Sequence, residues 1–236
     1  MVDHLDALER DGRLLAEAAG RAGLDAPVPS CPAWQVRNLL RHTGGVHRWA
    51  TSIVVGALVD RPDFANDDTD DAAWPGDASL LSWFVEGHAA LVATLRNAPD
   101  DLECYTFLPG MTPKVHWARR QAHETAMHRA DAQLAAGESP SYDTGFAVDG
   151  IVELFEGFFP RGYRKRLTSE TPRTIAVVTT DADCGYLVHI GPDGATAERG
   201  TGDVDDVVMA PASDLYLTLW NRQADDTWPS TVKVGW

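Results

Sequence analysis

Apolar residues in the first 140 positions recur at the three- and four-residue spacing of helices that bury one face. Residues 3–20 carry Leu5, Leu8, Leu15 and Ala18 near that period, which predicts a first helix. The stretch "LDAPVPSCP" breaks it with three prolines, and Ser30 or Cys31 then stands where it can cap a second helix over roughly 32–58. The stripe of that helix is Val36, Leu40, Thr43, His47 and Val54, so His47 points where a core side chain belongs. A third helix is expected over about 78–97, with Leu81, Phe84, His88, Leu91 and Leu95 in register. A fourth is expected over about 113–136, with Ala122, Ala126, Met127, Ala130 and Leu134 on its apolar side. Between the second and third helices, "VDRPDFANDDTDDAAWPGDAS" holds too much Asp, Pro and Gly for a regular element. Its length makes it a candidate lid or substrate loop, although a solvated connection is the more ordinary explanation of such a segment.

After residue 140 the period shortens. One more helix is predicted over 145–160, followed by short strands at "TIAVVTT", "GYLVHI", "ATAERG" and "DVVMA". "GPDG" is the expected hairpin turn, and "PASDLYLTLWNR" returns to helix. The predicted fold class is α+β in two domains, a helical bundle over residues 1–140 and a small strand-rich domain over 141–236.

The formal charge of -15, from 35 acidic and 20 basic residues, argues against nucleic acid as a partner, because phosphate recognition needs clustered Lys and Arg. No apolar run approaches the roughly 20 residues that span a bilayer, and the charged, amphipathic start differs from a secretory signal. The expectation is a cytoplasmic protein without membrane attachment, a monomer or homodimer. The three cysteines, Cys31, Cys104 and Cys184, are odd in number and widely spaced, as free thiols in a reducing compartment are.

Candidate chemistry lies in "RRQAHETAMHRAD", residues 119–131. A zinc-protease helix needs histidines four apart, whereas His123 and His128 are five apart, roughly 140° around the axis. Glu124 and His128 are four apart and share a face. Antiparallel bundles build metal sites from inward side chains on facing helices, which His47 on the second helix and Glu124 with His128 on the fourth can supply. Two imidazoles and a carboxylate form a catalytic zinc set with an open position. Asp131, three residues past His128, is a candidate partner for its second ring nitrogen. The bland alternatives stand beside these. His47 and His88 suit the core as hydrogen-bonded histidines, and Gln121, Glu124, His128 and Asp131 suit the wet face of a surface helix. Gly44 and Gly45 inside the second helix cost about 1 kcal/mol each relative to Ala, which points to close approach of another backbone or a ligand beside His47.

The stretches "VPSCPAWQVRNLLRHTGGVHRWA" (28–50) and "WARRQAHETAMHRADA" (117–132) resemble the actinobacterial mycothiol-dependent maleylpyruvate isomerase family. "GDVDDVVMAPASDLYLTLWNR" is similar to that family's small sterol-carrier-like (SCP2-like) domain, so the resemblance spans nearly the whole chain. It implies a DinB-like four-helix bundle followed by a small α+β domain. It also implies metal ligands at His47, Glu124 and His128, a divalent cation such as Zn2+, and mycothiol as thiol cosubstrate. Arg222 in "LWNR" matches the position most like the catalytic arginine of the isomerases, where it would clamp an anionic substrate. A guanidinium interacting with a helix C-terminus explains it equally.

Three functions remain distinguishable on this reading. The first is an enzyme that activates the thiol against an electrophilic small molecule, as an S-transferase or a cis-trans isomerase. The second is a structural or regulatory module whose metal only knits the bundle, with a saturated shell in which His88 is the candidate fourth ligand. The third is a hydrophobic-ligand carrier built on the C-terminal half.

Overall fold

The computed structural model describes residues 2–63, 74–162, 167–223 and 233–234. The chain divides into two compact units, one beginning at Asp3 and ending at Pro140 and one beginning at Ser141.

The first unit consists of α1 (His4–Ala22), α2 (Val36–Gly56), α3 (Asp77–Asn97) and α4 (Pro113–Ala135). Asp3 caps α1, its Oδ1 accepting from the Leu5 and Asp6 amides at 3.0 and 3.1 Å. Gly23, at φ 82°, ends that helix in a conformation that a side chain would oppose. The second helix begins at Val36, later than expected, because residues 27–35 fold back on themselves. A bridge joins Pro27 to Gln35, and the amides of Cys31 and Trp34 donate to the carbonyls of Val28 and Cys31 at 3.0 and 2.7 Å. Asn38 Oδ1 then accepts from the Gln35 amide at 3.0 Å, so neither Ser30 nor Cys31 is the cap.

Around the bundle, α1 packs on α4 and α3, and α2 packs on α3 and α4. The core holds Leu8, Leu15, Leu39, Leu40, Ile53, Phe84, Leu91 and Trp117, each fully buried. Every residue of the α2 stripe, Val36, Leu40, Thr43, His47 and Val54, is buried. Bulky side chains meet glycines where helices cross. A Cβ on Gly44 would lie 2.3 Å from Trp83 Cζ3, and one on Gly87 would lie 2.1 Å from Arg48 Nη1, so α2 and α3 notch into each other reciprocally. The Arg48 guanidinium lies 3.8 Å from the Trp83 ring centroid. Gly44 therefore accommodates an indole, not a backbone or a ligand.

By length and composition α3 is apolar enough to cross a membrane, with mean hydropathy 1.3 over its best window. The sequence expectation of no such segment is corrected to that extent. Here its Leu80, Phe84, Leu91 and Leu95 face the bundle core. Residues 64–73 of the candidate lid lie outside the described residues.

The second unit opens with α5 (Thr144–Val152), which runs into a π-helical turn over Glu153–Phe158 and a 3-10 turn over Phe159–Arg161. Strands β1 (Leu167–Thr168), β2 (Arg173–Thr179), β3 (Gly185–Gly191), β4 (Gly194–Arg199), β5 (Asp206–Ala210) and β6 (Lys233–Val234) follow, with α6 (Ala212–Leu219) between the last two. The four-stranded sheet has order β4-β3-β2-β5, antiparallel except where β5 joins β2 in parallel. Ile175 pairs with Val188, and Val177 with Tyr186 and Val208, all buried on one face. The β3–β4 hairpin turns at the expected glycines, Gly194 having φ 125°. Asp181 joins two helix starts, accepting from the Ala212 amide and the Thr144 hydroxyl at 2.8 Å each. The fold is α+β, a helical bundle with a small α+β unit.

Candidate metal centre

Helix α4 is buried on nearly every side, Gln121, His128 and Asp131 included, so the polar residues of its supposed wet face lie inside the bundle. Glu124 keeps a partly exposed carboxylate, while His128 and Asp131 are buried, and these three satisfy one another together with Arg120. Glu124 is the centre of the cluster. Its Oε1 lies 3.2 Å from His128 Nε2 and 3.5 Å from His42 Nε2, and its Oε2 accepts from Arg120 Nη2 at 2.7 Å. On the far side of the His128 ring, Nδ1 donates to Asp131 Oδ2 at 2.8 Å, the contact that the three-residue spacing suggested. Ser30 Oγ donates to the other Asp131 oxygen. The Trp34 indole covers both imidazoles, its centroid 5.0 Å from that of His42 and 6.2 Å from that of His128.

The donor atoms of His42, Glu124 and His128 all lie within 4.8 Å of one another. Ligands about 2.05 Å from a tetrahedral zinc ion stand roughly 3.3 Å apart, so separations of 3.2 and 3.5 Å match two edges of such a site. Side-chain exposure falls from 25% at Glu124 and 20% at His42 to 9% at His128, which puts the opening on the Glu124–His42 side.

The sequence trio is thus only partly brought together. Glu124 and His128 meet, but the histidine that joins them is His42, not His47. The His47 side chain is fully buried, its Nε2 is 2.9 Å from Thr125 Oγ1, and its ring packs 5.5 Å from Phe84 and 5.4 Å from His88. Residues 42 and 47 differ by roughly 140° around α2, so one meets Glu124 while the other meets its neighbour Thr125. The apolar stripe singles out His47 because it is in register with the core, whereas a ligand must sit at the core's edge, where a cation can enter. A histidine flanking that stripe is the only sequence signal for His42. His88 does not complete a ligand shell; its Nε2 bonds the Leu8 carbonyl at 2.9 Å.

Electrostatics follow from these contacts. Burial alone would raise the Glu124 carboxyl, but hydrogen bonds from His128 and His42 and the Arg120 charge outweigh it and hold the group well below the usual carboxylate range. Burial would lower His128, yet Asp131 and Glu124 override it and push its pKa up to about 9. Burial, reinforced by His88, takes His47 well below its ordinary value.

Arg222 lies in the second unit just past α6, half-buried, its Nη1 donating to the Trp220 carbonyl at 2.6 Å. That is the helix-end interaction weighed above. A groove of about 1010 Å³ between α1 and α3, lined by Glu9, Arg13, Val85, His88, Val92 and Arg96 among others, contains none of the converging donors.

The sequence model of the family described as the mycothiol maleylpyruvate isomerase N-terminal domain matches residues 5–133, more than half of the chain. The chain belongs to this family. Among solved structures, the crystal structure of the mycothiol-dependent maleylpyruvate isomerase is similar in fold at a TM-score of 0.64 and 12% identity, covering 91% of this chain and 86% of that one. No curated protein matches the sequence. The family match contains α1 to α4 up to Gln133, and with them His42, Glu124, His128, Arg120 and Asp131.

Proposed function

We propose that this member of the mycothiol maleylpyruvate isomerase family is a metal-dependent enzyme that activates a low-molecular-weight thiol, mycothiol, for attack on an electrophilic small molecule. The observation that carries the reading is the convergence of His42, Glu124 and His128 from two facing helices, with an opening on the Glu124–His42 side. Two imidazoles and one carboxylate suit a divalent cation, zinc foremost, and leave one position for an incoming ligand. A cation held there supplies Lewis acidity that makes an approaching thiol give up its proton at neutral pH.

The chain's own residues set up that chemistry. Arg120 occupies Glu124 Oε2 and leaves Oε1 directed between the imidazoles. Asp131 fixes the His128 tautomer, since a proton kept on Nδ1 leaves the Nε2 lone pair as donor. Trp34 shields both rings on one side and limits the directions from which water reaches them. In an isomerisation, the thiolate sulfur adds to one carbon of a cis double bond, the resulting single bond rotates, and the thiolate leaves with the trans double bond restored. In a transfer, the carbon–sulfur bond persists and the carbanion takes a proton. For an anionic substrate we propose Arg222 as the clamping guanidinium.

Cobalt(II) substitution tests the reading. Addition of mycothiol should change the d–d spectrum and bring in a sulfur-to-metal band. A spectrum indifferent to every small thiol would remove the thiol chemistry and favour a structural or regulatory metal.

A further inference from the structure

We propose that Ser30 is a positioning residue for the metal centre. Through Asp131 it fixes the His128 imidazole, and so makes the turn ahead of α2 respond to whether a cation is bound. The inference rests on the metal reading above and assigns a role to a residue outside the ligand set.

Asp131 is fully buried and divides its two oxygens, Oδ2 accepting from His128 Nδ1 and Oδ1 from the Ser30 hydroxyl. A carboxylate held at both oxygens cannot rotate about its terminal bond without breaking one contact, so the ring bound to it keeps one orientation. Ser30 belongs to a segment that is itself closed. Pro27 and Gln35 bridge its ends, the Val28 amide donates to the Trp34 carbonyl at 2.9 Å, and two further backbone bonds tie Cys31 to Val28 and Trp34 to Cys31. The same turn carries Trp34 against His42 and His128. One compact turn therefore reaches the site twice, by a hydroxyl on the second oxygen of Asp131 and by an indole over the ligand rings. Hydrogen bonding of a ligand's far nitrogen raises its basicity towards a metal, so restraint at Ser30 favours cation binding. By reciprocity, a bound cation must favour the closed turn to the same degree.

The test combines zinc affinity, from chelator competition, with amide hydrogen exchange at Val28, Cys31 and Trp34 in metal-free and zinc-loaded protein. In wild type, zinc should slow exchange at these amides. Asp131→Asn should weaken zinc about 10–100-fold and Ser30→Ala about 3–10-fold, with Ser30→Thr restoring wild-type affinity. In the double variant Ser30→Ala/Asp131→Asn, affinity should equal that of Asp131→Asn alone, because the hydroxyl acts through that carboxylate. The proposal is overturned if Ser30→Ala matches wild type in affinity, or if the two substitutions add independently. The wild-type exchange measurement needs no variant, and turn amides indifferent to zinc also overturn it. His42→Ala separates the two levels. If it keeps wild-type zinc affinity, the metal centre itself is wrong, whereas if it loses zinc while Ser30→Ala does not, only the positioning role fails.

Discussion

Replacing His47 by Leu in metal-free protein should change how stability depends on pH. His47 is fully buried with a depressed pKa, caused first by burial and then by His88, so the folded unit keeps it neutral while the unfolded chain protonates it below about pH 6.5. Proton uptake favours the unfolded state in that range, and the His47 contribution is lost as pH falls. One unit below 6.5 the unfolded chain gains RT ln 11, about 1.4 kcal/mol, provided the folded pKa lies well lower. His128 has the opposite sign. Its folded pKa of about 9 gives stability that is fully present below pH 6.5 and lost as pH rises towards 9. Between pH 7.5 and 5.5 the two nearly offset each other in wild type, so the comparison with the variant carries the information. Unfolded carboxylates titrate near pH 4 and contribute little over this interval. At pH 7.5 the replacement takes the imidazole from the buried Thr125 hydroxyl and should cost about 1–3 kcal/mol, an offset common to both pH values. On moving to pH 5.5, His47→Leu should gain roughly 1.4 kcal/mol over wild type, read from urea unfolding of chelator-treated protein by circular dichroism. Identical pH dependence in the two proteins would refute the placement of a neutral histidine in the core.

Three further outcomes are expected. Gly44→Ala should destabilise the bundle by about 1–2 kcal/mol in thermal or urea unfolding, because displacement of Trp83 from a 2.3 Å contact outweighs a helix-propensity gain of about 1 kcal/mol. Zinc binding at pH 7.5 should release about one proton, since a cation displaces the one that His128 holds up to about pH 9. Calorimetry in buffers of different ionisation enthalpy reads that number. Asp181→Ala removes the acceptor at the start of α6 and should lower the stability of the second unit by about 1 kcal/mol in urea unfolding.

Much of this architecture is legible in the chain. The α2 stripe from Val36 to Val54 is buried throughout, and β2 to β5 fall where alternation and turn residues put them, whereas β1 and β6 are two-residue strands too short for alternation to show. The departures have physical causes. The spacing of Glu124, His128 and Asp131 is local to one helix and therefore visible, whereas the choice between His42 and His47 depends on the rotation of α2 against α4. That rotation is fixed by notches such as Trp83 on Gly44, which pair residues distant in sequence. The polar side of α4 suggests solvent because periodicity records polarity, not burial. Here Arg120, Glu124, His128, Asp131 and Ser30 satisfy one another inside the bundle, and only three-dimensional contacts distinguish that network from a wet face. Helix-start rules point to Ser30 or Cys31 as the cap of α2, but the bridge between Pro27 and Gln35 makes residues 27–35 a separate turn that those rules do not anticipate.

The central claim is that His42, Glu124 and His128 hold one cation while His47 does not. Cobalt(II) titration of His42→Ala and His47→Leu, followed through the intense d–d bands of tetrahedral cobalt, tests it most directly. The account predicts that His47→Leu keeps wild-type bands at one equivalent and that His42→Ala loses them. A His42→Ala protein with wild-type bands, beside a His47→Leu protein without them, would contradict it.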